Sequence, residues 1–201
     1  MTNAADTILG KIRALELELE AEFAKQRAGL KFGLEHGVAA FEQEVVRRQR
    51  ELRKHIAPYL LTAPPLFVIT APVIYSLLIP FAVVDLWVSI YQAICFRVYG
   101  IPQVRRRDYM VFDRAGLAYL NLIEKMNCAY CSYVNGVIAY VREVGGRTEQ
   151  FWCPIKHARS VIGQHARQSG FEEFGDAEHY VAGQAAQRAA LKAEGSTPPA
   201  K

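Results

Sequence analysis

Apolar and polar positions divide the chain into three unlike parts. From Tyr59 to Phe96 the run carries a single formal charge, Asp85, and basic residues bracket it on both sides. Drawn as one helix it would reach about 57 Å, roughly twice the hydrocarbon thickness of a bilayer. Folded in two it gives passes of about 19 residues, each near the length needed to span. The pattern predicts a membrane hairpin over 58–98, with Pro80 near its midpoint as the turn. The turn sequence Leu78-Ile79-Pro80-Phe81 is apolar for a loop that reaches water, so a re-entrant hairpin that stays on one side competes with a full crossing. Asp85 reads as a turn residue at the far interface or as a buried carboxylate with a partner.

Before this run, apolar residues recur at Ile8, Ile12, Leu15, Leu19, Phe23, Leu30, Leu34, Val38, Phe41, Val45, Leu52 and Ile56. With two turns skipped, the spacing averages about 3.7 residues, which predicts one long amphipathic helix over 1–57. A period above 3.5 favours a nearly straight helix pair over a left-handed coiled coil. Gly29, Gly33 and Gly37 fall at i, i+4 and i+8 on this helix. Glycine costs about 1 kcal/mol against alanine in a helix interior, so a packing face that admits a neighbouring backbone is one reading. A hinge is the other. The arm is expected to associate through 8–56 with a second copy or a partner helix.

After the run, Gly100-Ile101-Pro102 opens a second arm over 99–194. Helices are expected over Tyr109–Met126, Cys153–Gln168 with Pro154 at its first position, and Asp176–Ala193. Ser132–Val144 fits a helix that ends at Gly145-Gly146, although Asn135-Gly136 is also a hairpin signal. The tail over 195–201 is disordered by composition. The fold class is mostly α.

Charge refines the membrane reading. The net charge is +4 and the mean hydropathy is near zero, an average of charged ends and an apolar middle. Arg47, Arg48, Arg50 and Arg53 precede the run, and Arg105, Arg106 and Arg107 follow it. Positive flanks at both ends place both termini in the cytoplasm and anionic lipid headgroups beside the basic clusters. There is no basic stripe with interleaved aromatics, so nucleic acid is not an expected partner. Met1-Thr2-Asn3-Ala4-Ala5-Asp6 lacks the basic and apolar regions of a cleaved signal, so the run itself is expected to do the targeting.

The one constellation with chemistry is Cys128-x2-Cys131 followed by Cys153-x3-His157. Three thiols and an imidazole are a tetrahedral zinc ligand set, and thiols stay reduced in the cytoplasm. Zinc fits best. Iron or an iron–sulfur cluster, a redox dithiol and unrelated thiols stay open. No catalytic constellation is legible, and the reading is non-enzymatic.

The stretch Asn127-Cys128-Ala129-Tyr130-Cys131-Ser132-Tyr133-Val134-Asn135-Gly136, with Arg147-Thr148-Glu149-Gln150-Phe151-Trp152-Cys153-Pro154-Ile155-Lys156-His157-Ala158, resembles a family of bacterial membrane proteins to which no activity attaches. Tyr99-Gly100-Ile101-Pro102 also fits. The resemblance spans roughly 99–160 and implies a bacterial cytoplasmic membrane. These readings converge on a membrane-anchored binding or scaffold protein with a cytoplasmic metal site. A membrane redox or electron-transfer protein and a membrane-shaping, self-assembling protein are the alternatives.

Overall fold

The computed structural model describes residues 4–28, 32–35, 38–41, 43–159 and 161–195 and is mostly helical. The chain divides into two compact units, 1–62 with 113–125, and 63–112 with 126–201.

In the first unit, α1 (Ala4–Ala28) is followed by a two-stranded antiparallel hairpin. Its strands are β1 (Phe32–Glu35) and β2 (Val38–Phe41), with Gly33 opposite Ala40. Then come α2 (Gln43–Glu51) and α3 (Ile56–Thr62). The single helix expected over 1–57 is therefore wrong. The helix ends at Ala28, and Gly33, one of the three glycines that each cost about 1 kcal/mol in a helix interior, lies in β1. The unit also holds a one-turn 3₁₀ segment, Asp113–Gly116. The Ala118 N–H donates to Gln49 Oε1 at 3.3 Å.

In the second unit, α4 (Pro65–Ser76) and α5 (Leu78–Tyr91) run on through a π-type turn, Gln92–Phe96, into α6 (Arg97–Tyr99). The expected reversal at Pro80 is absent. Leu77 has helical angles, φ −63° and ψ −17°, so the chain continues at the joint. Pro80 lies in the first turn of α5, where a missing N–H leaves no bond unmade. The result is one apolar helix, Pro65–Tyr99, long enough to cross a membrane.

That helix stops at Gly100, whose φ of +69° favours glycine. The Ile101 N–H donates to the Phe96 carbonyl at 2.8 Å, a bond that closes the helix end, and both side chains enter the core. Residues 101–112 then run as a connector with one 3₁₀ turn, Arg106–Asp108.

Next comes α7 (Leu122–Trp152), an unbroken α-helix of 31 residues. It begins thirteen residues later than the start expected at Tyr109, and the cause is local. Asn121 Oδ1 accepts the Glu124 N–H at 3.0 Å while Glu124 Oε2 accepts the Asn121 N–H at 2.9 Å. This reciprocal cap fixes the N-terminus. The helix runs through Ser132–Val144, as expected, and also through Gly145-Gly146 to Trp152.

No helix follows at Cys153. Residues 153–159 are irregular, and Ile155 forms an isolated parallel bridge with Glu172. Pro154 is fully buried there. A short 3₁₀ segment, Ala166–Gly170, precedes α8 (Tyr180–Glu194), close to the last helix expected from sequence. The core of this unit is Phe96, Ile101, Val104, Tyr140, Val144 and Leu191.

Candidate functional site

Two surfaces of the Pro65–Tyr99 helix differ in kind. One is open and apolar: Leu66, Ile69, Val73, Leu77, Pro80, Val84, Trp87, Ile90, Ile94 and Val98 are exposed at three- and four-residue steps, Ile69 by 70% and Val98 by 76%. Before Asp85 the helix is apolar around most of its circumference, with Phe67, Val68, Ile74 and Ile79 also exposed. Burying one such side chain is worth about 1.5–3 kcal/mol, so this surface demands a covering.

The opposite surface carries polar groups, each matched by the connector or by α7. Tyr75 donates to Asn127 Oδ1 and its ring meets Tyr130 edge-on at 5.6 Å. Asp85 is buried. It accepts from Arg106 Nε at 2.8 Å, from Arg106 Nη2 at 2.6 Å and from the Tyr133 hydroxyl at 3.0 Å. Burial first, then the Asp85 carboxylate, pushes the Tyr133 hydroxyl up, which keeps it a donor. Gln92 Nε2 donates to the Val104 carbonyl at 3.1 Å and Gln92 Oε1 accepts the Val104 N–H at 3.0 Å. The same amide donates to the Tyr140 hydroxyl at 2.6 Å. One side chain thus satisfies both backbone groups of a buried connector residue. Partners rise together along both helices, from Tyr75 with Asn127 to Tyr99 with Trp152, so α7 runs parallel to the apolar helix.

Toward its C-terminal end, α7 carries a charged network. Arg147 Nε donates to Glu143 Oε1 at 2.8 Å, and Arg167 Nη2 donates to the same oxygen at 2.6 Å. Arg167 also binds Glu194 through both terminal nitrogens, at 2.8 and 2.9 Å, and Gln150 Oε1 at 2.7 Å. Burial alone would raise the Glu143 carboxyl, but the bonds from Arg167 and Arg147 outweigh it and hold the group below the usual carboxylate range. Beside this network His165 Nε2 lies 2.6 Å from Glu149 Oε2, with its ring against Gly146.

The structure scatters the sequence-predicted ligands. Cys128 and Cys131 stand one turn apart on α7, the first partly buried and the second exposed. Cys153 lies just past the end of that helix, its N–H still donating to the Glu149 carbonyl at 2.8 Å. Twenty-two residues of helix put Cys131 and Cys153 about 33 Å apart, so one chain does not bring the pairs to one ion. Among the described residues no group of three or more His, Cys, Asp or Glu is placed to hold a metal. His157 is exposed in the irregular segment. Gly33 sits in β1, whereas Gly29 and Gly37 lie outside the described residues. Arg47 pairs with Glu44 at 2.8 Å, and Arg48, Arg50 and Arg53 are exposed. Arg105 and Arg107 are exposed, while Arg106 is committed to Asp85.

Sequence reasoning missed Gln92, Tyr140 and the Glu143–Arg167 network. Only Glu143 and Arg147, one helical turn apart, carried a signal; their other partners are distant in sequence. No family model, curated protein or solved structure matches this chain.

Proposed function

We propose that the chain is a membrane-anchored scaffold whose apolar helix lies in the cytoplasmic face of a bacterial inner membrane, with both flanks on the cytoplasmic side. The observation that carries the reading is the uncovered apolar surface of Pro65–Val84, backed by a polar surface that α7 occupies. Three arguments favour a lying helix over a crossing one. The helix has 35 residues, about 52 Å against a hydrocarbon core near 30 Å. Basic residues bracket it at both ends, and positive residues stay on the cytoplasmic side. Asn127 contacts Tyr75, the middle of the uncharged stretch, and Lys125 precedes Asn127 by two residues on α7. A perpendicular crossing would draw that charge into hydrocarbon, at a cost of several kcal/mol.

In this reading, the exposed Arg105 and Arg107 meet anionic headgroups, and α7 with α8 presents a helical surface to the cytoplasm. The protein acts by position, holding a folded module at the membrane without catalysis. The N-terminal unit is available for a second copy or a partner. The test is a reporter active only in the periplasm, fused to each terminus in turn, together with membrane fractionation. Membrane-bound protein with two silent reporters supports the reading. One active reporter means a single crossing, and protein that stays in the soluble fraction removes the anchor.

A further inference from the structure

The connector, α7 and the end of α8 enclose a cleft of about 360 Å³ whose lining includes Gln103, Arg105, Asp108, Tyr109, Arg147 and Glu194. It lies wholly within the second unit, and no residue of the Pro65–Tyr99 helix lines it. Its charges balance, two guanidiniums against two carboxylates, and that balance decides which ligand fits. An anion alone would face Asp108 and Glu194, and a cation alone would face Arg105 and Arg147. An apolar ligand would strip water from four charges without replacing their partners.

We propose that this cleft binds a small zwitterion, an anionic group joined to an ammonium, as found in a phosphoethanolamine headgroup or a free amino acid. Arg147 is prepared for the anionic end. Its Nε is held by Glu143 at 2.8 Å and its Nη1 by the Pro102 carbonyl at 2.8 Å, which fixes the guanidinium plane. Its Nη2 stands 4.0 Å from Glu194 Oε2, beyond hydrogen-bond reach and next to the cavity. Arg105, exposed and also lining the cleft, supplies a second donor group. For the ammonium end, Glu194 is steadied by Arg167 through both carboxylate oxygens and keeps further lone pairs free. Glu194 is the last residue of α8, where the helix dipole adds negative potential. Asp108 also lines the cleft, half-exposed and 3.8 Å from Arg107. The site does not depend on the membrane reading, because soluble headgroup fragments suffice to fill it.

The full chain, ¹⁵N-labelled in detergent micelles, is titrated with glycerophosphoethanolamine, glycine, glycerol phosphate and ethanolamine. Saturable shifts at the amides of Gln103, Arg105, Asp108 and Gly195 are expected with at least one zwitterion. Glycerol phosphate and ethanolamine should each need at least tenfold more to give the same shift. Preference for glycerophosphoethanolamine points to a lipid headgroup, and preference for glycine points to a free amino acid. Arg105→Gln and Asp108→Asn are surface changes that leave the fold intact, and each should weaken binding about tenfold, whereas Arg159→Gln should not. Equal binding of either single-charge compound overturns the zwitterion assignment. Absence of saturable shifts with both zwitterions overturns the site.

Discussion

Replacing Gly136 by alanine tests whether the connector is held against α7 as described. A Cβ built at Gly136 would sit 2.6 Å from the Tyr109 carbonyl oxygen and 2.7 Å from Met110 Sδ, where ordinary contact begins at 3.4 Å. Met110 is flexible and can turn away. The Tyr109 carbonyl is backbone and must retreat by about 0.8 Å, the difference between those two distances. That retreat is resisted by the Tyr109 N–H bond to the Arg106 carbonyl at 3.1 Å and by the Arg106–Asp85 pair. Overpacking of this kind costs about 1–3 kcal/mol, against about 1 kcal/mol gained from helix propensity. Gly145, on the same helix, has nothing within 4 Å of its Cβ position, so Gly145→Ala takes the propensity gain alone. The two variants should differ by about 2 kcal/mol, roughly 6 °C in midpoint for a unit of this size. Gly145→Ala should melt above the parent and Gly136→Ala at or below it, followed by circular dichroism in micelles. Equal stabilisation by both would refute the close approach of connector and helix.

Gln92→Leu leaves both backbone groups of the buried Val104 without their partner, and a loss of about 2–4 kcal/mol in urea unfolding is expected, whereas Gln103→Leu on the exposed side should cost little. The Glu143 carboxyl is held below its unfolded value, so its contribution to stability is present above the unfolded value near 4.5 and is lost as pH falls through the folded one. Stability measured from pH 7 downward should therefore fall less steeply below 4.5 in Glu143→Gln than in the parent. Because α7 keeps Cys131 and Cys153 about 33 Å apart, zinc should not protect the two thiols together from alkylation. Joint protection at one zinc per chain would show that the pairs meet after all.

How much of this was legible follows from the range of each interaction. The helical character of the apolar run, the helix over Ser132–Val144 and the last helix are local patterns and appear in the structure, although the expected hairpin over 58–98 is a single helix there. The stop at Gly100 was legible for the same reason. The N-terminal arm misled because an apolar spacing of about 3.7 continues through the β1–β2 segment, so the pattern of apolar positions alone does not register the change from helix to strand. Pro80 misled because proline breaks a helix interior but is harmless in a first turn, and the joint at Leu77 supplies that first turn. The Cys3His reading assumed that 21 intervening residues would fold back. Instead Val137, Tyr140 and Val144 give α7 a buried face that keeps it straight past Gly145-Gly146. The partners of Gln92 and Arg167 come from distant segments, and no local spacing announces them.

The depth of two tryptophans tests the lying helix most directly. Trp87 is 72% exposed on the apolar surface, and Leu77 lies ten residues earlier, about 15 Å along the helix. One variant keeps Trp87 alone through Trp152→Phe, and a second carries Leu77→Trp with both native tryptophans changed to Phe. Each is reconstituted in vesicles whose lipids carry bromine at graded depths, and fluorescence quenching is read. A helix lying in one face places both probes at the same shallow depth, about 5–10 Å into the headgroup–acyl boundary. Quenching of the Leu77→Trp probe deep in the bilayer, with Trp87 near the surface, would contradict the lying orientation, and no quenching of either would contradict the anchor itself.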